Sequence, residues 1–281
     1  PENMDIETRE LLIKLGVAPM QGIHETLNAV AQAATWRENR ETILASQVGT
    51  LQVLEDMRPG QLVREVAGKE ILRSAGIMVP EGEQAHGSTA AAVAHNIGFP
   101  VVLKMMGSKL VHKTEAGAVA LALNSESEVT TALATMQAAV MAYDPTALTD
   151  DFLIEAHVPH PLAEMVVGLR RDPQFGWSLT LGSGGIYVEL LQDTKTLLLP
   201  TDGSQIVKAI RSLKLFALLD GFRNRPKTDL TSLSAQILSL CHFVQNTQNH
   251  LQEIEINPLF IYETHGLAVD ALVRCDAVPP V

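Results

Sequence analysis

Apolar positions in the first forty residues recur at helical spacing. Leu11, Leu12 and Leu15 make a short stripe that stops at Gly16, and Pro19 and Gly22 then interrupt the chain. Leu27, Val30, Ala31 and Ala34 share one face of a second helix, predicted over about 25–37. A polar stretch over about 38–60 closes on Pro59-Gly60, the composition expected of a domain boundary. Beyond it, Val63, Val66, Ala67, Ile71 and Ala75 are predicted on one helix face ended by Gly76. Ser88 is placed to cap a helix bearing Ala90, Val93, Ala94 and Ile97, with Gly98 at its end. Short apolar strands are predicted over 101–103 and 118–123. Ser125 and Glu128 have capping-box spacing ahead of Val129, Ala132, Leu133, Met136 and Val140. Asp144-Pro145 ends that unit.

The remainder is predicted to be richer in strands, over 152–158, 164–169, 178–181 and 186–191. Helices are expected near 204–219 and 231–246. A hairpin follows, from 253–262 through His265-Gly266 to 267–273. The order implies an α+β chain of two lobes, one small and one with a strand-rich wall, and a ligand at their junction.

Hydrophobic residues make up 46% of the 281, enough for a real core and against general disorder. The net charge of −11 argues against nucleic acid or an anionic membrane as a partner. A polyphosphate would have to be held locally, by a few cations, backbone amides and a metal. The two cysteines, Cys241 and Cys275, lack metal-ligand spacing and suggest a reducing, cytoplasmic setting. No run is long enough to span a membrane, and the polar opening is unlike a signal peptide. The chain opens at Pro1, as a processed product or a fragment of a longer protein would.

Two segments stand out chemically. In GFPVVLKMMGSKLVHKTEAG a strand delivers Lys104 to a loop with Gly107, Ser108, Lys109, His112, Lys113, Thr114 and Gly117. A lysine on a strand suits a nucleotide phosphate, and a loop of small residues can fold amides over phosphate oxygens. The alternative is an edge strand with solvated lysines. In EIEINP, Glu253, Glu255 and Asn257 alternate on one strand face, and the hairpin can bring Asp270 across from them. Such hard oxygen ligands suit Mg²⁺ bridging a nucleotide; the alternative is a polar sheet face. Gly182-Ser183-Gly184-Gly185, with Glu189 and Asp193 beyond, reads more simply as a plain connection between strands.

FPVVLK, VHKTEAGAV, RRDPQFG, LGSGGIYVELLQD, EIEINPL and AVDALV together, in this order, resemble the ATP-grasp domain of NDP-forming acyl-CoA synthetases, the ADP-forming acetate–CoA ligase family. The resemblance runs from about Leu62 to Arg274 and extends more weakly to the succinyl-CoA synthetase β-subunit. Residues 11–40 more loosely resemble the end of the CoA-ligase domain that precedes ATP-grasp in fused enzymes. The implied fold is ATP-grasp, in two lobes, preceded by a short helical tail of a CoA-ligase-type domain. The implied divisions are 1–45 as remnant of that flavodoxin-like domain, 46–60 as linker, 61–145 as small lobe and 146–281 as large lobe.

The resemblance implies an enzyme part that binds ATP or ADP with Mg²⁺ and transfers phosphate through a phosphohistidine, in the reaction acid + CoA + ATP = acyl-CoA + ADP + phosphate. Lys104, Lys113, Glu155 and Glu164 would bind the nucleotide. Glu255, Asn257 and Asp270 would hold Mg²⁺. His112 would be a second phosphoryl carrier. Partners would be CoA-binding and ligase domains, in the same longer chain or in another subunit, without which acyl-CoA should not turn over. The chain departs from the family pattern at Gly117-Ala118, where Gly-Gly is usual, at Glu155-Ala156-His157, where Gln-Glu-Met is common, and at Met105-Met106-Gly107-Ser108, where a Ser-Pro pair is typical. A regulatory ATP-grasp-like domain of a protein lysine acetyltransferase is the alternative, disfavoured by the intact Glu255, Asn257 and Asp270. A carboxylate–amine ligase is disfavoured by the HKTEAG and DPQFG segments.

Overall fold

The computed structural model of the chain describes residues 4–20, 22–45, 60–107, 109–110, 113–185, 193–246 and 251–276. Two compact units result, Pro1–Thr50 and Leu51–Val281. The first carries helices α1 (Ile6–Lys14) and α2 (Ile23–Ala45). Asp5 caps α1 by accepting from the backbone N–H of Thr8 at 2.8 Å. α2 runs to Ala45, past its predicted end at 37, because Glu38 to Glu41 contains neither glycine nor proline to stop it. Leu11, Leu15, Leu27 and Trp36 stay exposed in this unit.

The second unit holds β1 (Gln61–Val63), α3 (Glu65–Ser74), β2 (Gly82–His86), α4 (Ala90–Ile97), β3 (Val101–Met105), β4 (Val119–Leu123), α5 (Glu126–Tyr143) and β5 (Asp151–Ala156). β6 (Ala163–Asp172), β7 (Gly176–Ser183), β8 (Thr194–Leu198), α6 (Gly203–Arg211), α7 (Phe216–Leu219) and α8 (Leu230–Asn246) follow. β9 (Leu251–Ile261), β10 (Gly266–Ala268) and β11 (Ala271–Cys275) complete it. Among the described residues two antiparallel sheets form. The larger has the order β1-β11-β9-β6-β7-β8, with β10 also paired to β9. The smaller has the order β2-β5-β3-β4.

Each sheet has its own core. Met165, Leu169, Leu179 and Leu181 of the larger sheet pack with Ile206 and Ile210 of α6 and Leu233, Ile237 and Leu240 of α8. Leu103, Met105, Phe152 and Ile154 of the smaller pack with Ala94 of α4 and Val129, Met136 and Val140 of α5. Burial of one such large side chain stabilises by about 1.5–3 kcal/mol. β1 and α3 belong to the larger core, and β5 to the smaller sheet. The lobes are therefore not consecutive stretches divided at residue 145. The chain starts in the large lobe, builds the small one and returns.

Local expectations differ from the structure in instructive ways. Thr89, not Ser88, precedes α4, and its hydroxyl donates to the His86 carbonyl rather than capping the helix. The capping box at α5 is offset. Ser125 accepts from Glu128 N–H, but the Glu128 carboxylate takes the N–H of Asn124. The single helix expected over 204–219 breaks into α6 and α7. β1, β2 and β8 carry too little apolar alternation to be seen in sequence. The strand expected over 186–191 lies outside the described residues, as do Ser108, His112 and Glu189. Both cysteines are free and buried, and burial pushes the Cys241 thiol up to about 12. No helix among the described residues is long and apolar enough to cross a membrane.

Candidate functional site

The face expected from Val63, Val66, Ala67, Ile71 and Ala75 is buried at Val63 and Ala75 and half-buried at Val66 and Ile71, with Ala67 exposed. The inner face of α3 also buries Glu65, Gly68, Lys69 and Leu72. Two charged side chains one turn apart thus enter the protein on the helix's inner face. They survive burial because opposite charges meet them there. Glu65 lies 3.0 Å from Lys69, 2.8 Å from Lys104 on β3 and 3.0 Å from Lys113 in the loop after it. Lys113 meets Glu65 at Oε2, the oxygen that Lys69 and Lys104 leave free. Glu155 on β5 lies 2.5 Å from Lys69 and 2.9 Å from Lys104. Lys113 also lies 3.6 Å from Asp270. Three ammonium groups therefore face three carboxylates.

The electrostatics follow from this packing. Burial alone would raise the Glu65 pKa, but Lys104, Lys69 and Lys113 outweigh it and hold the carboxyl far below its ordinary range. Burial likewise opposes charge on Lys104, and Glu65 and Glu155 reverse that, holding it above the usual lysine value. Lys69 is pushed down by burial and by the Lys104 ammonium, against the pull of Glu65 and Glu155. Lys113 is raised, with Asp270 and then Glu65 overcoming its burial.

In front of this cluster opens a cavity of about 1510 Å³. Glu65, Lys113, Glu164, Glu255, Asn257 and Asp270 share its wall with apolar side chains such as Leu110, Leu162, Leu215 and Leu272. Of the residues expected from sequence, the structure brings together Lys113, Glu164, Glu255, Asn257 and Asp270. Lys104 and Glu155 are buried behind the wall. The Lys104 ammonium has three oxygen acceptors within 2.9 Å, namely Glu65, Glu155 and the Val269 carbonyl at 2.7 Å. That equals its number of protons, so in this arrangement all its donors are used by the protein itself. Asp270 is not on the strand facing Glu255 but in the two-residue break between β10 and β11, where the ladder is interrupted opposite Asn257 and Pro258.

Sequence reasoning missed Glu65 and Lys69. The available signal was a Glu and a Lys at i and i+4 in line with Leu72 on the helix. It also undervalued Gly182–Gly185, since Ser183, Gly184 and Gly185 line the cavity. A Cβ at Gly184 would stand 2.5 Å from the Met165 carbonyl carbon. Gly185 has φ +70° and lies against the Glu164 carboxylate, and its N–H donates to Asn257 Oδ1 at 3.2 Å. Asp193 supports the same wall. It accepts from the Ser183 hydroxyl at 2.8 Å and from the N–H groups of Lys214 and Leu215 at 3.0 and 3.2 Å. Burial would raise its pKa; these donors hold it low.

Glu255, Asn257 and Asp270 fit a hard divalent cation. The Glu255 carboxyl is pushed up by burial and by Glu253 and Asp270, against a hydrogen bond from Asn257, and a cation would relieve that crowding. Among the described residues no three His, Cys, Asp or Glu side chains could hold a metal by themselves. Water and phosphate would complete the shell, which is the usual state of protein-bound Mg²⁺.

Comparison with known proteins identifies relatives of the chain. The acetate–CoA ligase [ADP-forming] I subunit beta of Pyrococcus furiosus is 33% identical over 208 residues, covering 74% of this chain and 89% of its own length. The trans-feruloyl-CoA synthase FCS1 of an unknown prokaryotic organism is 35% identical over 215 residues, 75% of this chain. The chain spans only 30% of that relative's length. The dinucleotide-forming acetyl-coenzyme A synthetase 1 of Ca. Korarchaeum cryptofilum, solved with coenzyme A, Ca-AMPCP and HgCl⁺, superposes with a TM-score of 0.71 at 28% identity, covering 85% of this chain and 99% of that one. The profile of a family described as an ATP-grasp domain matches residues 55–275, and the chain belongs to that family.

Proposed function

We infer that residues 51–281 bind a nucleoside di- or triphosphate with Mg²⁺ and transfer the γ-phosphoryl group from the triphosphate, or back onto the diphosphate, as part of an NDP-forming acyl-CoA synthetase. The overall reaction is acid + CoA + ATP = acyl-CoA + ADP + phosphate, through a phosphohistidine. The observation that carries the reading is one cavity whose wall holds the Lys113 ammonium together with Glu255, Asn257 and Asp270. The β-subunit relative, matched over 89% of its length, is named for this ligase chemistry.

Lys113 offers its ammonium to phosphate oxygens, aimed by Glu65. Glu164 closes the wall beside Gly185, toward the base or ribose. Glu255, Asn257 and Asp270 hold the cation, which supplies neutralisation of charge on the phosphates. The apolar wall around Leu110, Leu162 and Leu215 would shield the transfer from water once nucleotide fills the cavity. His112, next to Lys113 in sequence, is the proposed acceptor of the phosphoryl group at a ring nitrogen. Residues 1–45 are read as the tail of a ligase domain, supported by the exposed apolar side chains of α1 and α2. CoA-binding and ligase domains, in the same chain or in another subunit, would complete the enzyme.

Calorimetric titration with ADP and ATP, with and without Mg²⁺, tests this reading. Magnesium-dependent binding is expected, and Asn257→Ala with Asp270→Ala should abolish the dependence. Persistence of the dependence in the double variant places the cation elsewhere. Absence of binding by the folded chain sinks the nucleotide reading.

A further inference from the structure

The break between β10 and β11 leaves Val269 and Asp270 outside the regular ladder. Ala268 pairs with Leu259 and Ala271 with Ile256, so residues 269 and 270 face Pro258 and Asn257. The Val269 N–H reaches the Pro258 carbonyl at 3.4 Å. An antiparallel pair of this kind returns a second hydrogen bond, from the N–H at 258 to the carbonyl at 269. Proline has no N–H, so that bond cannot form. A buried carbonyl left without a donor is costly and needs another.

The donors come from two other elements of the protein. Lys104 Nζ meets the Val269 carbonyl at 2.7 Å and Lys69 Nζ meets it at 3.0 Å. Lys104 rises from β3 of the smaller sheet, and Lys69 from α3 of the larger core. Glu65 and Glu155 bind both ammonium groups from the far side. Neither lysine needs the cavity for a partner, because each already has three oxygen acceptors within 3.0 Å. The next residue along, Asp270, is the one that faces the cavity.

Building on the cation reading above, we propose that Lys69, together with Lys104, is a positioning residue for the cation site: the two ammonium groups replace the hydrogen bond that Pro258 cannot make, and so fix the peptide that aims the Asp270 carboxylate. The same grip ties the small lobe to a cation ligand of the large lobe. A shift of β3 or β5 relative to α3 would therefore be felt at Asp270 before it reached Glu255 or Asn257, which sit on the continuous strand β9.

The test uses the full chain and Mn²⁺ as a paramagnetic stand-in for Mg²⁺, with free Mn²⁺ read by electron paramagnetic resonance in the absence of nucleotide. Lys69→Met should weaken Mn²⁺ binding about tenfold, the usual scale for loss of a group that orients a ligand, while metal-free ADP affinity stays within about twofold. Asp270→Asn is the reference variant. If it weakens Mn²⁺ binding but Lys69→Met does not, the positioning role is overturned and the cation site stands. If Asp270→Asn leaves Mn²⁺ binding unchanged, the cation site itself is wrong and the role falls with it. Equal losses of Mn²⁺ and metal-free ADP binding would make Lys69 a general support of the cavity, which also overturns the proposal. Should Lys69→Met fail to fold, Lys69→Met with Glu155→Gln removes one cation and one anion together and is read the same way.

Discussion

Replacing Lys104 by methionine keeps the unbranched stem but deletes a buried cation. Its ammonium stands 2.8 Å from Glu65, 2.9 Å from Glu155 and 2.7 Å from the Val269 carbonyl. After the deletion, Lys69 and Lys113 alone face Glu65, Glu155 and Asp270. The two buried carboxylates, Glu65 and Glu155, then each lose a cation. Removing one partner of a buried ion pair costs about 3–5 kcal/mol. A unit of this size loses about 2–4 °C of Tm per kcal/mol, so melting is expected to fall by about 6–20 °C. Differential scanning calorimetry reads the loss, and titration with ADP and Mg²⁺ well below the melting range reads the site. The structure places Lys104 behind the wall, so stability should fall further than ADP affinity. A Tm within about 2 °C of the native value, coupled with loss of ADP binding, would refute the reasoning and make Lys104 a direct phosphate ligand.

Two further outcomes are expected. His112→Ala should leave ADP titration unchanged and stop phosphoryl relay once the ligase domains are present; labelled phosphate still released from γ-labelled ATP in step with acyl-CoA formation would reduce His112 to an ordinary loop residue. Glu65 bears on acid stability: burial opposes its charge, the three lysines prevail, and its folded pKa lies below the ordinary 4.5. Its contribution is complete above that pH and is lost as pH falls toward the folded value. Glu65→Gln should therefore lower Tm at neutral pH and flatten the acid limb below about pH 4.5; an acid limb as steep as the native one would contradict the assignment.

Much of the fold was legible because its signals are local. α5 and α8 show apolar residues at helical period and clear ends. β3, β6, β7 and β9 alternate or run apolar between breaks. The elements that escaped notice are those held by neighbours. β1 is three residues long and exists by pairing with β11, and β8 exists by pairing with β7. α4 begins one residue later than its expected cap, with Thr89 at the N-cap and its hydroxyl donating to the His86 carbonyl.

At the site, the sequence by itself determined the inventory: a lysine-bearing strand and loop, an alternating acid-amide strand, and an aspartate on the returning arm. Strand alternation puts Glu255 and Asn257 on one face whatever the rest of the chain does. Only the tertiary structure decided which lysine meets the cavity and which stands behind it. Lys104 and Lys113 look equivalent along the chain, yet one has its three protons satisfied by Glu65, Glu155 and Val269, and the other lies at the cavity wall. That choice depends on a carboxylate 39 residues from Lys104 and a carbonyl 165 residues from it. It depends also on Pro258, which leaves that carbonyl in need of a donor. Local periodicity records which side of an element a residue lies on, whereas the partner of a buried charge is set by where the two lobes meet.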